Sequence, residues 1–421
     1  MLYVNGKNSL EPDALDNFHS MSEVGSSEKV NFVVELGRPF RPGYTQADGD
    51  WSGVYRFYLK KGTQPLPKQA TLDVAAAGDG VDMGKPEALA QFVHWAKHTY
   101  PARRYMLIIW NHGQGWRFQL SADRSLRQAA SRGALALDSR PSGSAVPPSL
   151  GGFRAVSNDE DTGSILFNRE IQDVVASEFG AGRLNVLGFD ACLMAMAETA
   201  YAFTPHVNVL VASEELEPAA GWRYSKWMDR LVANPGMSDQ RLGSTLVDMY
   251  RKQYGNEYLT TLSALNLRSI REVLGQLSTL ANSIRGAGKL ELDNLRQART
   301  ELTSYAASIS PPPRTSVDLL GLLRQYELKT KDSNLRKQSA NIRANLAPNI
   351  IANYASTRSA APETRQPYGS EGLAIYFPET RSAFLSDKFH QGYLKTNTDR
   401  TVDFVSNETW ANLLYEVLDI H

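Results

Sequence analysis

The stretch from Leu184 to Glu198 constrains the fold more than any other, because it predicts a strand, a tight turn and a helix in succession. An apolar run ends at Phe189, and from Leu193 onward apolar residues recur three and four apart, which is typical of a helix. Cys192, the only cysteine of the chain, lies at the turn. Because a helix N-terminus carries partial positive charge, we expect this cysteine to have a lowered pKa and to be nucleophilic.

A second predicted strand ends in a histidine that could serve this cysteine as a base. The strand runs from Arg103 to Trp110, and His112 and Gly113 follow it closely. If both strands belong to one parallel sheet, His112 and Cys192 emerge at its carboxyl edge, where open α/β sheets bind their ligands. Gly113 has no side chain, so it would let backbone N–H groups face a substrate oxygen.

The order of predicted elements indicates an α/β fold. Strands alternate with helices as far as Ser213, which predicts a mostly parallel sheet with helices on both faces. Helical patterns dominate afterwards, although two late strands are predicted near the C-terminus. We therefore expect a catalytic domain over residues 1–265 and a mainly helical region over residues 266–421 that contributes the late strands.

Composition excludes several classes of function. The chain has 45 basic and 45 acidic residues, so no overall field would recruit nucleic acid or an anionic membrane. No apolar run approaches the roughly 18 residues of a membrane span, and a single cysteine leaves the redox compartment open. We expect a monomer, secreted or periplasmic if the natural precursor begins upstream of Met1 and cytoplasmic otherwise.

The segment 117–164 interrupts the regular pattern. It is rich in Ser, Gly, Pro and Ala, and it contains several arginines but no lysine. Loops longer than about 12–15 residues tend to be functional or disordered. The segment could be cut during activation, or it could be a lid that is never cut.

Two motifs together resemble the clostripain family of cysteine peptidases. These are Trp110-Asn-His-Gly-Gln-Gly-Trp116 and Gly188-Phe-Asp-Ala-Cys-Leu-Met194. Further matching blocks lie near Tyr3, Val81, Ser213, Gly221 and Gly372, so the resemblance spans nearly the whole chain. It implies the αβα sandwich of the caspase, gingipain and legumain-like proteins.

The resemblance also implies roles for individual residues. Cys192 would be the nucleophile and His112 the general base and acid, with the oxyanion held by N–H groups near Gly113 and Cys192. Asp190 would lie in the pocket for the residue that precedes the cleaved bond, which implies peptide or protein substrates with Arg or Lys there. Several relatives cut themselves between the histidine and the cysteine, and Arg154 has the best local context for such a cut.

Other residues near the predicted edge have two possible interpretations each. An acidic run, Glu214, Glu215 and Glu217, follows the next predicted strand on the same side. One of them, with Glu214 as the first candidate, could shape the substrate pocket, or the run could be a solvated loop. Trp222 could line that pocket or simply pack. Some relatives need calcium, but no part of the chain resembles an EF-hand loop, so we predict no metal or other cofactor.

Two alternative interpretations stay open at this point. A lone buried cysteine is often structural, and the fold could carry a catalytically silent binding or scaffold protein. His94 and His98 lie four residues apart on a predicted helix, as in some zinc sites, but Trp95 stands where a zinc peptidase has Glu.

Overall fold

The computed structural model describes residues 1–40, 47–113, 115, 157–180, 182–306, 314–356, 369–387, 389–394 and 402–420. The strands of this part of the chain are β1 Leu2–Asn5, β2 Val33–Arg38, β3 Gly53–Tyr58, β4 Leu72–Asp73, β5 Met106–Trp110, β6 Asn158–Asp159, β7 Ser164–Ile165, β8 Leu184–Asp190, β9 Val207–Ala212, β10 Thr261–Asn266, β11 Ser316–Asp318, β12 Ile350–Ala355 and β13 Ala374–Tyr376.

The α-helices of the same residues are α1 Glu11–Ser22, α2 Pro86–Thr99, α3 Asn168–Phe179, α4 Ala197–Phe203, α5 Tyr224–Ala233, α6 Asp239–Tyr254, α7 Leu267–Ala287, α8 Lys289–Thr300, α9 Leu319–Lys329, α10 Ser333–Leu346, α11 Arg381–Ser386, α12 Asp403–Asn407 and α13 Trp410–Val417. Short 3-10 turns occupy Pro67–Gln69, Ala347–Asn349 and His390–Tyr393.

A central sheet contains nine of the described strands, in the order β12-β10-β9-β8-β5-β1-β2-β3-β4. The middle five, from β9 to β2, are parallel. β3 and β4 add antiparallel pairs at one side, and β10 and β12 do so at the other. The predicted α/β sandwich with a mostly parallel sheet is therefore confirmed.

Two hydrophobic cores form because successive strand residues point to opposite faces. In β5, Leu107 and Ile109 belong to one core, whereas Ile108 and Trp110 belong to the other. Helices α1, α5 and α6 contribute to the core that contains Trp110, while α2, α3, α4 and the helices after residue 266 contribute to the opposite core. Both faces of the sheet are therefore covered by helices, as parallel sheets require.

The region after residue 266 is joined closely to the sheet. Its strand β12 pairs with β10 in the central sheet, and its helices pack in the same core as β5 and β8. The domain boundary at residue 265 stays a prediction. None of the helices within the described ranges is long and apolar enough to cross a membrane.

Two local features differ from the pattern of the sequence. The helix expected from Leu193 begins instead at Ala197, so that prediction was wrong. The end of the irregular segment forms an unpredicted hairpin, in which Asn158 pairs with Ile165 and Asp159 with Ser164. The strands β6 and β7 of this hairpin are too short to show a periodic pattern in the sequence.

Candidate active site

The histidine and the cysteine follow neighbouring parallel strands in matching register. Trp110 at the end of β5 is aligned with Asp190 at the end of β8. The backbone N–H of Asn111 donates to the backbone carbonyl of Asp190 at 3.2 Å. His112 and Cys192 each lie two residues beyond this aligned pair, at the carboxyl edge of the sheet.

Gly113 brings the backbone after the histidine against the backbone of the cysteine. A methyl group at position 113 would overlap the Cys192 carbonyl oxygen and lie 2.9 Å from the Cys192 nitrogen. It would also lie 3.0 Å from the Ala191 side chain. The close approach of these two backbones therefore requires glycine at this position.

We expect Gly113→Ala to lose most peptidase activity, because the added methyl group would push the histidine segment away from Cys192. Real Cβ atoms do not approach backbone atoms this closely, and overpacking of this kind costs about 1–3 kcal/mol. The measurement is kcat/KM together with the thermal unfolding midpoint. A matched control is Gly286→Ala, where the added methyl group meets nothing within 4 Å and the backbone has no positive φ. Full activity in Gly113→Ala would contradict the close approach.

Asn111 fixes the backbone of the histidine to two other parts of the chain. Its side-chain oxygen accepts from the His112 N–H at 2.7 Å and from the Asn158 N–H at 3.3 Å. Its side-chain nitrogen donates to the Asn5 carbonyl at 2.7 Å. This buried amide therefore joins the end of β1, the histidine and the start of the β6–β7 hairpin.

The turn that carries Cys192 is held by backbone contacts rather than by a helix. Leu193 N–H donates to the Glu215 carbonyl at 3.1 Å, and Ala195 N–H donates to the Ser213 carbonyl at 2.8 Å. Leu193 has a φ of +63°, which is unusual for a residue other than glycine. Strained backbone of this kind is concentrated at functional sites.

The environment of the thiol raises its pKa instead of lowering it, which corrects the expectation from the sequence. Burial raises the pKa of Cys192 to about 12, and the nearby acids Glu217, Glu215 and Asp190 also raise this pKa. The Glu217 backbone N–H, which donates to Sγ at 3.2 Å, lowers the pKa in part. The expected helix N-terminus is absent from this turn, since α4 begins five residues later. The surroundings of this turn therefore favour the protonated thiol.

The Asp190 side chain is hydrogen-bonded to the Glu217 carboxyl group and to two further donors. Its Oδ2 accepts from the Tyr224 hydroxyl at 2.6 Å and from the Trp222 backbone N–H at 3.2 Å. Burial raises the pKa of Asp190 to about 6, although these two hydrogen bonds oppose the shift. Gly221 has a φ of +62°, and a methyl group there would approach the same carboxylate oxygen to 2.7 Å.

Glu217 forms a second carboxylate beside Asp190. Its Oε2 accepts from the Trp222 indole N–H at 2.9 Å, so one tryptophan contacts both acids. Burial raises the pKa of the Glu217 carboxyl well above its usual range, and the charge of Asp190 adds to this. Among the described residues, no Lys, Arg or His forms an ion pair with either acid.

Comparison with known proteins places this arrangement in a family. The sequence matches the clostripain family over residues 2–131 and 147–416. The chain belongs to the clostripain family. It is therefore a cysteine peptidase that acts on peptide substrates, as the resemblance of the two motifs implied.

Individual relatives are similar to this chain in sequence or in fold over most of their length. Clostripain of Hathewaya histolytica is 24% identical over 98% of this chain and 78% of its own length. An inactive zymogen C11 protease from Parabacteroides distasonis has a TM-score of 0.61 at 18% identity, covering 95% of this chain and 96% of that one. A secreted C11 cysteine protease from Bacteroides thetaiotaomicron, iotapain, also has a TM-score of 0.61, at 13% identity and over 96% of this chain and 97% of that one.

Some candidate residues of this clostripain-family chain do not present a side chain that could contact a substrate at the thiol. Both oxygens of Glu214 are occupied, by the Tyr305 hydroxyl at 2.9 Å and the Gly372 N–H at 3.0 Å. The Trp222 ring is buried against Gly188 of β8, so it packs under Asp190 rather than lining an open pocket. Arg154 and residues 117–156 lie outside the described residues.

Some residues of the site were missed in the sequence. Glu217 was seen only as one member of an acidic run, and Tyr224 and Asn111 were given no role. The position of Glu217 within the run is not periodic, and only the path of the loop after β9 brings it to Asp190.

Within the described ranges, no three His, Cys, Asp or Glu side chains gather to hold a metal ion, so no calcium site is assigned there.

Proposed function

We propose that this protein is an endopeptidase that cleaves after Arg, and also after Lys, with Cys192 as nucleophile and His112 as general base and acid. The observation that carries the proposal is the pair of buried carboxyl groups, Asp190 and Glu217, beside the thiol. Neither has a cationic partner among the described residues.

Two such acids favour a cationic ligand. Burying a carboxylate without a partner is costly, and strongly shifted groups of this kind cluster at functional sites. A guanidinium group can donate to two carboxylates at once through its planar fork, whereas an ammonium group acts as a point charge. Arg is therefore the preferred side chain for this pocket and Lys the second choice.

The chemistry at the thiol needs a base because the thiol is protonated. We propose that His112 takes the proton while Sγ attacks the carbonyl carbon of the peptide bond, and that N–H groups of Gly113 and Cys192 hold the resulting oxyanion. The carbon–nitrogen bond then breaks, and His112 gives its proton to the leaving amine. Water attacks the thioester with His112 again as base, which releases the acid and restores the thiol.

A panel of fluorogenic peptides that differ only in the residue before the reporter tests this specificity. We expect turnover with Arg, weaker turnover with Lys, and little with Asp or norleucine. Hydrolysis that is equally fast with norleucine and Arg would contradict a cation-binding pocket. The Cys192→Ala variant is the blank for contaminating peptidases.

The pocket should bind cations more tightly as pH rises through about 6. The pKa of Asp190 is raised to about 6 by burial, so below this pH its carboxyl is neutral and attracts a cation less. We expect the inhibition constant of benzamidine to be roughly tenfold weaker at about pH 5 than at about pH 7.5. Benzamidine keeps its charge over this range, so an inhibition constant that does not change with pH would contradict the prediction.

We also propose that cleavage within the segment 117–164 activates the enzyme, with Arg154 as the candidate site. The support is the basic, lysine-free composition of residues 117–156, and the contact between the described residues on either side, since the Asn158 N–H donates to Asn111, the neighbour of His112. Intact-mass measurement of wild type and Cys192→Ala tests it. A single uncut chain in active wild-type enzyme would overturn the proposal.

A further inference from the structure

We propose that Glu217 couples occupancy of the acidic pocket to the reactivity of Cys192, so that a cation bound between Asp190 and Glu217 releases the thiol for attack. The inference rests on the proposed cation-binding role of the two acids. It adds a positioning role for one residue that contacts both the pocket and the nucleophile.

The backbone of Glu217 holds the thiol. Its N–H donates to Cys192 Sγ at 3.2 Å, and Sγ lies 3.9 Å from the Glu217 carbonyl oxygen, which can accept from the S–H group. Both groups of one residue therefore favour a thiol that keeps its proton and points at the loop after β9. A thiol held in this way is poorly placed to attack a substrate carbonyl.

The side chain of the same residue lies beside Asp190, the other acid of the proposed pocket. Glu217 Oε2 accepts from the Trp222 indole, and the Trp222 backbone N–H donates to Asp190. The other carboxylate oxygen of Glu217, Oε1, is buried and has no hydrogen-bond partner. A donor that entered the site, such as the guanidinium group of a substrate, would satisfy this oxygen.

A cation at this position would act on the thiol in two ways. It would offset the negative charge of Asp190, which raises the pKa of the thiol. It would also draw the Glu217 side chain toward itself and shift the backbone that contacts Sγ. Cleavage would then be fastest for peptides whose cationic side chain fills the pocket. Binding of that side chain would both select the substrate and activate the Cys192 thiol.

Alkylation of the thiol by iodoacetamide tests the coupling without requiring a peptide substrate. Sγ attacks the methylene carbon, iodide leaves, and the thiol proton goes to solvent. Intact mass reports the reaction cleanly because Cys192 is the only cysteine. The effector is benzamidine, and the matched control is benzamide, which has a similar shape but no charge.

For wild type we expect benzamidine to accelerate alkylation about tenfold, equivalent to a fall of about one unit in the thiol pKa, and benzamide to have no effect. Glu217→Gln should gain little from benzamidine, because it lacks the carboxyl group that the cation would draw toward itself. Asp16→Asn, which removes an exposed carboxylate of α1, should behave as wild type.

Several outcomes would overturn the coupling, and they separate it from the proposed specificity. Benzamidine could inhibit hydrolysis of Arg peptides competitively while leaving wild-type alkylation unchanged or slower. That result would support cation binding in the pocket and refute its coupling to the thiol. Equal acceleration in wild type and Glu217→Gln also refutes it. If benzamidine neither binds nor inhibits, both proposals fail. The comparison of benzamidine with benzamide on wild type is decisive even if the variant does not fold.

Discussion

Cys192→Ala should reduce kcat/KM for an Arg peptide by on the order of 10⁴- to 10⁶-fold, because no other residue can form the thioester. We expect His112→Ala to cause a loss of similar size. The double variant should be hardly worse than either single variant, since nucleophile and base act as one unit. The measurement is steady-state hydrolysis at high enzyme concentration, with the thermal unfolding midpoint as a check that each variant folds.

The unfolding midpoint separates chemistry from structure in this experiment. Cys192 is half-buried and packs at a turn held by backbone hydrogen bonds of Leu193 and Ala195, so Cys192→Ala should fold. Hydrolysis within tenfold of wild type in a folded Cys192→Ala protein would exclude the cysteine as nucleophile. Activity retained in His112→Ala alone would move the role of base to another residue.

Asp190→Asn should lose most of its preference for Arg while remaining folded. An amide keeps an oxygen that can accept from Tyr224 and Trp222 but removes the charge that attracts a guanidinium group. Losing one partner of a buried charge pair costs roughly 2–5 kcal/mol, which is roughly 30- to 4,000-fold in kcat/KM for Arg peptides. Hydrolysis of a norleucine peptide should change much less.

The ratio of kcat/KM for Arg and norleucine peptides is the measurement that isolates specificity. Asp16→Asn serves as the matched control, because it removes the same charge from an exposed position on α1. A variant Asp190→Asn that keeps the wild-type ratio would show that another group recognises the cation. An equal loss for both peptides would point to a structural role for Asp190 instead.

Apolar patterns were sufficient to predict the sheet and the relation of its two functional strand ends. The runs before Trp110 and Phe189 are continuous, which is typical of buried parallel strands, and parallel strands end at the same edge. The fold class, and the position of His112 and Cys192 at the carboxyl edge of the sheet, follow from these local facts, whereas the direct pairing of β5 with β8 was known only from the structure. The family followed from the same two motifs, since each supplied a short group of residues in fixed order.

Tertiary structure alone decided the electrostatics of the site. Helical periodicity begins at Leu193, but the contacts of that turn with the loop after β9 delay the helix to Ala197 and give Leu193 a positive φ. The same loop brings Glu217 to the thiol and turns Glu214 away toward Tyr305. A pKa depends on burial and on neighbours distant in sequence, so no local pattern could indicate that the thiol of Cys192 is protonated.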